Sequence, residues 1–211
     1  MSSISIIGLG NMARVLGARA LDGGNAVEVI GRDAAKTAAL AGALGRGARA
    51  GTIGSAPDGD IVILAVPYAS AVPVVSQYGD ALAGKVIVDI TNPFNPGVTG
   101  LVTFDDSSAA QEIAKAAPAS AHVVKAFNTL FANVLSAGPA DGRPLDVLIA
   151  GDDAEAKASV SSFIESLAML PRDTGDLTMA HWLEGAGLLM VGLIRQAVKH
   201  NNFSLGINIR G

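Results

Sequence analysis

The residues most able to do chemistry stand at the ends of apolar runs. Gly8, Gly10 and Ala13 form a Gly-x-Gly-x-x-Ala spacing between the β-branched run Ser5-Ile6-Ile7 and a helix-forming segment over 12–21. Two glycines permit a tight turn whose backbone N–H groups face a pyrophosphate at a helix N-terminus. A small third residue lets helix and strand approach. Gly8, Leu9, Gly10, Asn11 and Met12 are thus candidate dinucleotide contacts, with Asn11 also expected to cap the helix. A second signal, Gly31-Arg32-Asp33, follows the apolar run over 26–30. An NAD-selective site ends this strand on a carboxylate for the ribose hydroxyls, whereas a guanidinium suits a 2′-phosphate. Arg32 therefore makes NADP the expected cofactor, and Lys36, one turn into the next helix, is an auxiliary cation. Asp33 has two readings, a ribose contact or the cap of a helix over 34–43.

Three further strand ends are candidates for the same cleft. Ala65, Val66 and Pro67 close the buried run over 60–67, and Tyr68 follows, either covering a ring or packing a loop. Asn92 and Pro93 begin a constrained loop with two prolines, suited to shaping a ligand cleft. Lys125, Phe127 and Asn128 end the run that begins near Ser120, where His122 at the strand start reads as structural. His181 and Glu184, spaced i,i+3, read as a satisfied polar pair. No side chain is assigned as a general acid or base, and no histidine–carboxylate cluster has metal-ligand spacing.

These positions need a parallel sheet to bring them together. Half of the 211 residues are hydrophobic and only 4% are aromatic, with 25 glycines, which favours layered packing of small aliphatic side chains over an aromatic-rich sandwich. Alternating apolar runs and helical segments then give an α/β, Rossmann-type, doubly wound and mostly parallel sheet. The expected division is an NADP-binding domain over 1–174 and a C-terminal helical and dimerisation segment over 175–211. Within the latter, 177–200 reads as one long helix, Trp182, Ala186, Leu189, Met190, Leu193 and Ala197 sharing a face. A short tail over 203–209 is expected to pair at a sheet edge. Without cysteine, thiol and iron–sulfur chemistry are excluded, and redox work needs a borrowed cofactor. A net charge of -4 without a basic block argues against nucleic acid. The apolar segment over 177–194 carries His181 and Glu184, so it reads as a buried or interface helix, and a cytoplasmic protein with no signal peptide or membrane span is expected.

Several stretches taken together resemble the deazaflavin-dependent NADP reductase family. They are Ile7-Gly8-Leu9-Gly10-Asn11-Met12-Ala13, Gly31-Arg32-Asp33, Leu64-Ala65-Val66-Pro67, Val88-Asp89-Ile90-Thr91-Asn92-Pro93, Val124-Lys125-Ala126-Phe127-Asn128-Thr129 and Asp173-Thr174-Gly175. The NADPH-binding domain of membrane metalloreductases is similar as well. The resemblance spans nearly the whole chain, and Ala13 departs from the third glycine of many members. It implies hydride exchange between NADP and a deazaflavin or flavin-like acceptor. Gly8, Gly10 and Asn11 would lie at the pyrophosphate, Arg32 at the 2′-phosphate, and Pro67 with Asn92-Pro93 beside the nicotinamide. A homodimer is expected. The competing readings are an NADP-dependent reductase of another small substrate and a non-catalytic NADP-sensing regulator.

Overall fold

The structure, a computed structural model, describes residues 1–103, 106–138 and 142–208. Its centre is a sheet of eight strands: β1 (Ser3–Ile7), β2 (Ala26–Gly31), β3 (Arg49–Thr52), β4 (Ile61–Leu64), β5 (Val86–Asp89), β6 (His122–Lys125), β7 (Asp146–Gly151) and β8 (Leu170–Asp173). The order is β3-β2-β1-β4-β5-β6-β7-β8, parallel throughout except where β6 meets β7. The first six strands have the order of a doubly wound dinucleotide-binding sheet, and the chain reverses direction across the sheet between β1 and β4. The fold is therefore the expected mostly parallel α/β sheet with a C-terminal helical segment.

Sheet and helices interlock because the central strands are apolar on both faces. Ile4, Ile6, Ile61 and Ile63 join the core under α1 (Asn11–Asp22) and α6 (Ala154–Ser166). Ile7, Val62 and Leu64 join the opposite core under α3 (Tyr68–Tyr78) and α4 (Ala109–Ala116). α2 (Ala34–Leu44) covers the β2–β3 edge, and a short α5 (Ala132–Ala137) packs on α1.

Several expectations are corrected by packing. Asn11 is the first residue of α1 and Gly10 occupies the cap, with no side chain capping the helix. α6 ends at Ser166, and residues 170–173 form β8, a strand hidden in the sequence by Pro171. Proline is tolerated there because β8 lies at the sheet edge. The long C-terminal helix is a 3-10 turn (Leu177–Met179), then α7 (Ala180–Leu193), then a π-helical turn (Ile194–Val198). Met190 turns inward with Leu183, Glu184 and Gly187, whereas Trp182 and Leu189 are 66% and 60% exposed. The tail over 203–208 forms no strand, and Ile209 lies outside the described residues. The 22-residue stretch Leu177–Val198, in which an 18-residue window has mean hydropathy 1.4, could cross a membrane by length and composition alone. Here Glu184 sits in their midst, fully buried against Lys125, so the helix is bound into the protein.

Asp146 ties the far end of the sheet together. Its Oδ1 accepts from Arg172 Nε at 2.6 Å on β8, and its Oδ2 accepts from Ile207 N at 2.8 Å and from Arg143 Nη2 at 3.2 Å. Burial opposes the charge, but the Ile207 N–H and the two guanidiniums hold the carboxyl below its ordinary value of 3.8. A carboxyl lowered in the folded state adds stability above the unfolded value, and this is lost as pH falls through the folded one. Asp146→Asn is expected to cost about 2 kcal/mol at pH 7. It should also flatten the acid limb of stability below pH 3.8, as chemical denaturation at several pH values would measure.

Candidate functional site

The glycine turn is built around one close approach. Gly8, at φ +129°, follows β1, and its N–H bonds Ile30 O at 2.9 Å. A Cβ at this position would stand 2.0 Å from Ala65 O, so only glycine lets β1 and the end of β4 come together. At Gly10 an added Cβ would meet nothing within 4 Å, leaving open space over the start of α1. Ala13 is fully buried, which explains why a small residue stands third in the spacing. With no side-chain cap, the first-turn N–H groups of α1 are available to an anion.

Beside this turn, β2 ends on a glycine overlain by the Leu9 side chain. A Cβ on Gly31 would fall 2.5 Å from Leu9 Cδ1. Asp33 caps α2, accepting Lys36 N at 3.1 Å, and lies 3.5 Å from Lys36 Nζ. The Lys36 N–H, followed by burial acting the other way, leaves its carboxyl below the ordinary range. Arg32 is exposed and has no ion-pair partner among the described residues. Of the two acid-or-base readings at this strand end, Asp33 is committed to the helix and Arg32 is available to a phosphate.

Two adjoining clefts run along the carboxyl ends of the strands. The first, about 530 Å³, is lined by Gly8, Leu9, Gly10, Arg32, Asp33, Lys36 and Ala65–Pro67, among others. The second, about 360 Å³, shares Gly10 and Ala65–Pro67 and continues over Asn11, Met12, Tyr68, Ile90, Thr91 and Asn92. The fold thus brings the candidates of the first two strand ends, Ala65–Tyr68 and Asn92 to the two clefts, whereas Pro93, Lys125, Phe127 and Asn128 are buried behind them and line neither. Tyr68 Oη donates to Glu112 Oε2 at 2.7 Å. Burial first, and then Glu112, push the phenol far above its ordinary value, so Tyr68 is a neutral donor at any physiological pH.

The Asn92 corner is cross-braced from behind. Asn128 Nδ2 donates to Asn92 Oδ1 at 3.0 Å and to Leu183 O at 2.8 Å, while Asn92 Nδ2 donates to Asn128 O at 2.9 Å. Phe127, buried edge-on against Phe163, has φ +60° and turns the chain sharply after β6. That conformation is costly for a bulky residue and persists because packing fixes it. Gly187 of α7 is required by contact, since its Cβ would lie 2.8 Å from Asn92 Oδ1. Gly185 and Gly192, by contrast, face open space.

Lys125 does not reach the crevice. It is fully buried and pairs with Asp89 and Glu184, neither of which was singled out for this site from sequence. Asp89 and Lys125 are register partners on adjacent strands, but Glu184 comes from 59 residues away and no local spacing reveals it. The expected His181–Glu184 pair is absent, because His181 Nδ1 instead meets Ser107 O at 2.9 Å. His122 starts β6 and stands 3.8 Å from Asp153, consistent with a structural role.

Fold and turn together define a dinucleotide-binding oxidoreductase domain, and the comparisons make the class specific. Residues 3–93 match the family model for coenzyme F420-dependent NADP oxidoreductases. The F420-dependent NADP reductase of Methanocaldococcus jannaschii is 30% identical over 176 residues, covering 78% of this chain and 76% of that protein. Metalloreductase STEAP3 of Rattus norvegicus is 34% identical over 188 residues, covering 89% of this chain, which spans only 37% of that protein's length. A crystal structure assigned as an F420-dependent NADP reductase from Arthrobacter sp. FB24 superposes with a TM-score of 0.85 at 26% identity, covering 99% of this chain and all of that one. The chain belongs to the F420-dependent NADP oxidoreductase family, and it is an NADP-dependent oxidoreductase.

The two glycines should fail differently. Gly8→Ala places a Cβ against Ala65 O and should lower thermal stability. Gly10→Val has space in the protein and should leave the melting temperature within about 2 °C, as expected for an exposed, unstrained change. It should nonetheless abolish dinucleotide binding by filling the open space over α1. Calorimetry and ligand titration on both variants check the contrast, and a Gly10→Val protein with undiminished affinity would place the pyrophosphate elsewhere.

Proposed function

We propose that the chain transfers a hydride directly between NADP(H) and a deazaflavin or flavin-like acceptor. The observation that carries this reading is the lining of the second cleft. Among its described residues there is no carboxylate, imidazole or amine, only Tyr68, amides, a hydroxyl, backbone and apolar side chains. Ring-to-ring transfer needs alignment of two rings and exclusion of water, and requires no protein nucleophile or acid. The acceptor class comes from the F420-dependent NADP reductases to which the chain is similar.

In this reading the Gly8–Met12 turn and the start of α1 hold the pyrophosphate, Arg32 the 2′-phosphate with Lys36 assisting, and Ala65, Val66 and Pro67 flank the bridge between the clefts. Asn92 shapes the nicotinamide end, and Pro93 supports that corner from behind. The unpartnered guanidinium, the uncapped helix start and the space beside Gly10 all fit such a cofactor. When bound, NADPH supplies the hydride. The protein's part is to fix the two clefts in line and keep Tyr68 protonated over the second.

A second copy of this chain is the occupant we assign to the outer stripe of α7. Trp182 and Leu189 stand exposed one above the other at i,i+7, a spacing that presents both to one partner face.

Purified protein should oxidise NADPH with a deazaflavin, FMN or FAD, followed by loss of reduced-nicotinamide absorbance; no turnover with any of the three would remove this reading. Arg32→Ala should weaken NADPH about tenfold or more while leaving NADH nearly unchanged, since a charge-assisted phosphate contact contributes at least that much. Equal effects on the two cofactors would sink the assignment of Arg32. In sedimentation, the wild type should run as a dimer and Trp182→Glu with Leu189→Glu as a monomer.

A further inference from the structure

Buried charge lies directly behind the nicotinamide end of the cleft, and the hydride-transfer reading does not use it. Lys125 Nζ is 2.8 Å from Asp89 Oδ2, 2.7 Å from Glu184 Oε1 and 2.6 Å from Thr91 O, and all three ionisable side chains are fully buried. Asp89 Oδ1 accepts the Thr91 N–H at 2.8 Å, and Glu184 Oε2 accepts the Ala109 N–H at 3.2 Å. Thr91 is thus held at its N–H by one member of the cluster and at its carbonyl by another, and both Thr91 and Asn92 line the second cleft. Asn128 extends the same brace from Asn92 to Leu183, the residue before Glu184.

Two carboxylates facing one ammonium leave an excess of one negative charge. Burial holds the Glu184 carboxyl above its ordinary value against the pull of the Lys125 ammonium, and the neighbouring Asp89 adds to the rise; its charge is carried by the geometry, since Lys125 Nζ and the Ala109 N–H each donate to one of its two oxygens. The field of the pair reaches the cleft wall: after burial and Glu112, the charges on Glu184 and Asp89 also raise the Tyr68 phenol. Oxidation of a dihydronicotinamide breaks the C4–H bond, and the proton leaves with both electrons as a hydride to the acceptor. The ring that was neutral becomes a cation. A fixed negative charge behind the ring stabilises that cation without reorganising.

We infer that Glu184 is a positioning residue that also sets the charge at the nicotinamide end, tethering the C-terminal helix to the Thr91–Asn92 corner and favouring the oxidised, cationic ring. This rests on the placement of the nicotinamide in the second cleft. It gives the C-terminal helix a part in cofactor binding although none of its residues lines either cleft.

The test is the ratio of affinities for NADP+ and NADPH in Glu184→Gln, which keeps the shape and removes the charge. The third ligand is 2′-phospho-ADP-ribose, which lacks the nicotinamide. NADP+ should weaken about tenfold relative to NADPH, the order of size expected of one buried charge acting at high effective permittivity. The affinity for 2′-phospho-ADP-ribose should stay unchanged. Equal weakening of NADP+ and NADPH, or no change in either, overturns the inference, because a purely structural Glu184 would not separate the two redox forms. Should the variant not fold, Asp89→Asn, which removes the other carboxylate charge of the same cluster, is measured with the same three ligands, and equal effects on NADP+ and NADPH overturn the inference. These are binding measurements, so absence of turnover with every acceptor would defeat the proposed reaction while leaving a shifted affinity ratio standing.

Discussion

An ammonium group with no access to water must be surrounded by anions and carbonyls, and Lys125 is satisfied by residues from three parts of the chain. Asp89 comes from β5, Thr91 from the loop after it, and Glu184 from α7. Removing one partner of such a cluster leaves an uncompensated buried charge, whereas the intact cluster adds little net stability over apolar packing. Its consequence is therefore geometric. The Thr91–Asn92 loop that lines the second cleft cannot shift without breaking a charged contact, and α7 cannot leave the sheet without taking Glu184 away.

The two ends of the cleft are held by different physics. At the glycine turn, steric fit dominates: Gly8 allows β1 to meet Ala65, and Gly31 allows Leu9 to lie over the end of β2. In the proposed reading, a strand end without an acid and the exposed Arg32 act together in favour of a 2′-phosphate. Along the second cleft, hydrogen bonds and buried charge do the positioning, and the described residues that line the space are uncharged. This division suits a reaction whose cofactor is recognised by its phosphates and whose chemistry needs a dry, rigid surface.

The sequence made the first end legible and left the second largely dark. Glycine spacing after a β-branched run reports a turn that only glycine can make, and Gly31-Arg32 reports a strand end without an acid; both signals are local. Lys125 reads as a crevice residue from its place at a strand end, and only the three-dimensional position of Glu184 shows that it faces inward. Phe127 gives no sign in sequence of its positive φ, because the conformation follows from packing against Phe163. The edge strand β8 was obscured by Pro171, which would forbid an interior strand but not an edge one.

α7 shows how one helix can satisfy two surfaces at once. Its inner face carries Leu183, Gly187 and Met190 with a single charge, Glu184, placed where Lys125 can neutralise it. Its outer face is apolar without charge, and a helix apolar all round needs cover on both sides. The face holding Glu184 is engaged by the protein, where Asn92 packs against Gly187. A protein surface on the outer stripe meets the same need while leaving the ion pair intact. The helix is linked to the Asn92 corner of the second cleft through contiguous contacts, Leu183 O to Asn128 and Asn128 to Asn92, so that whatever braces its outer face also braces the cleft.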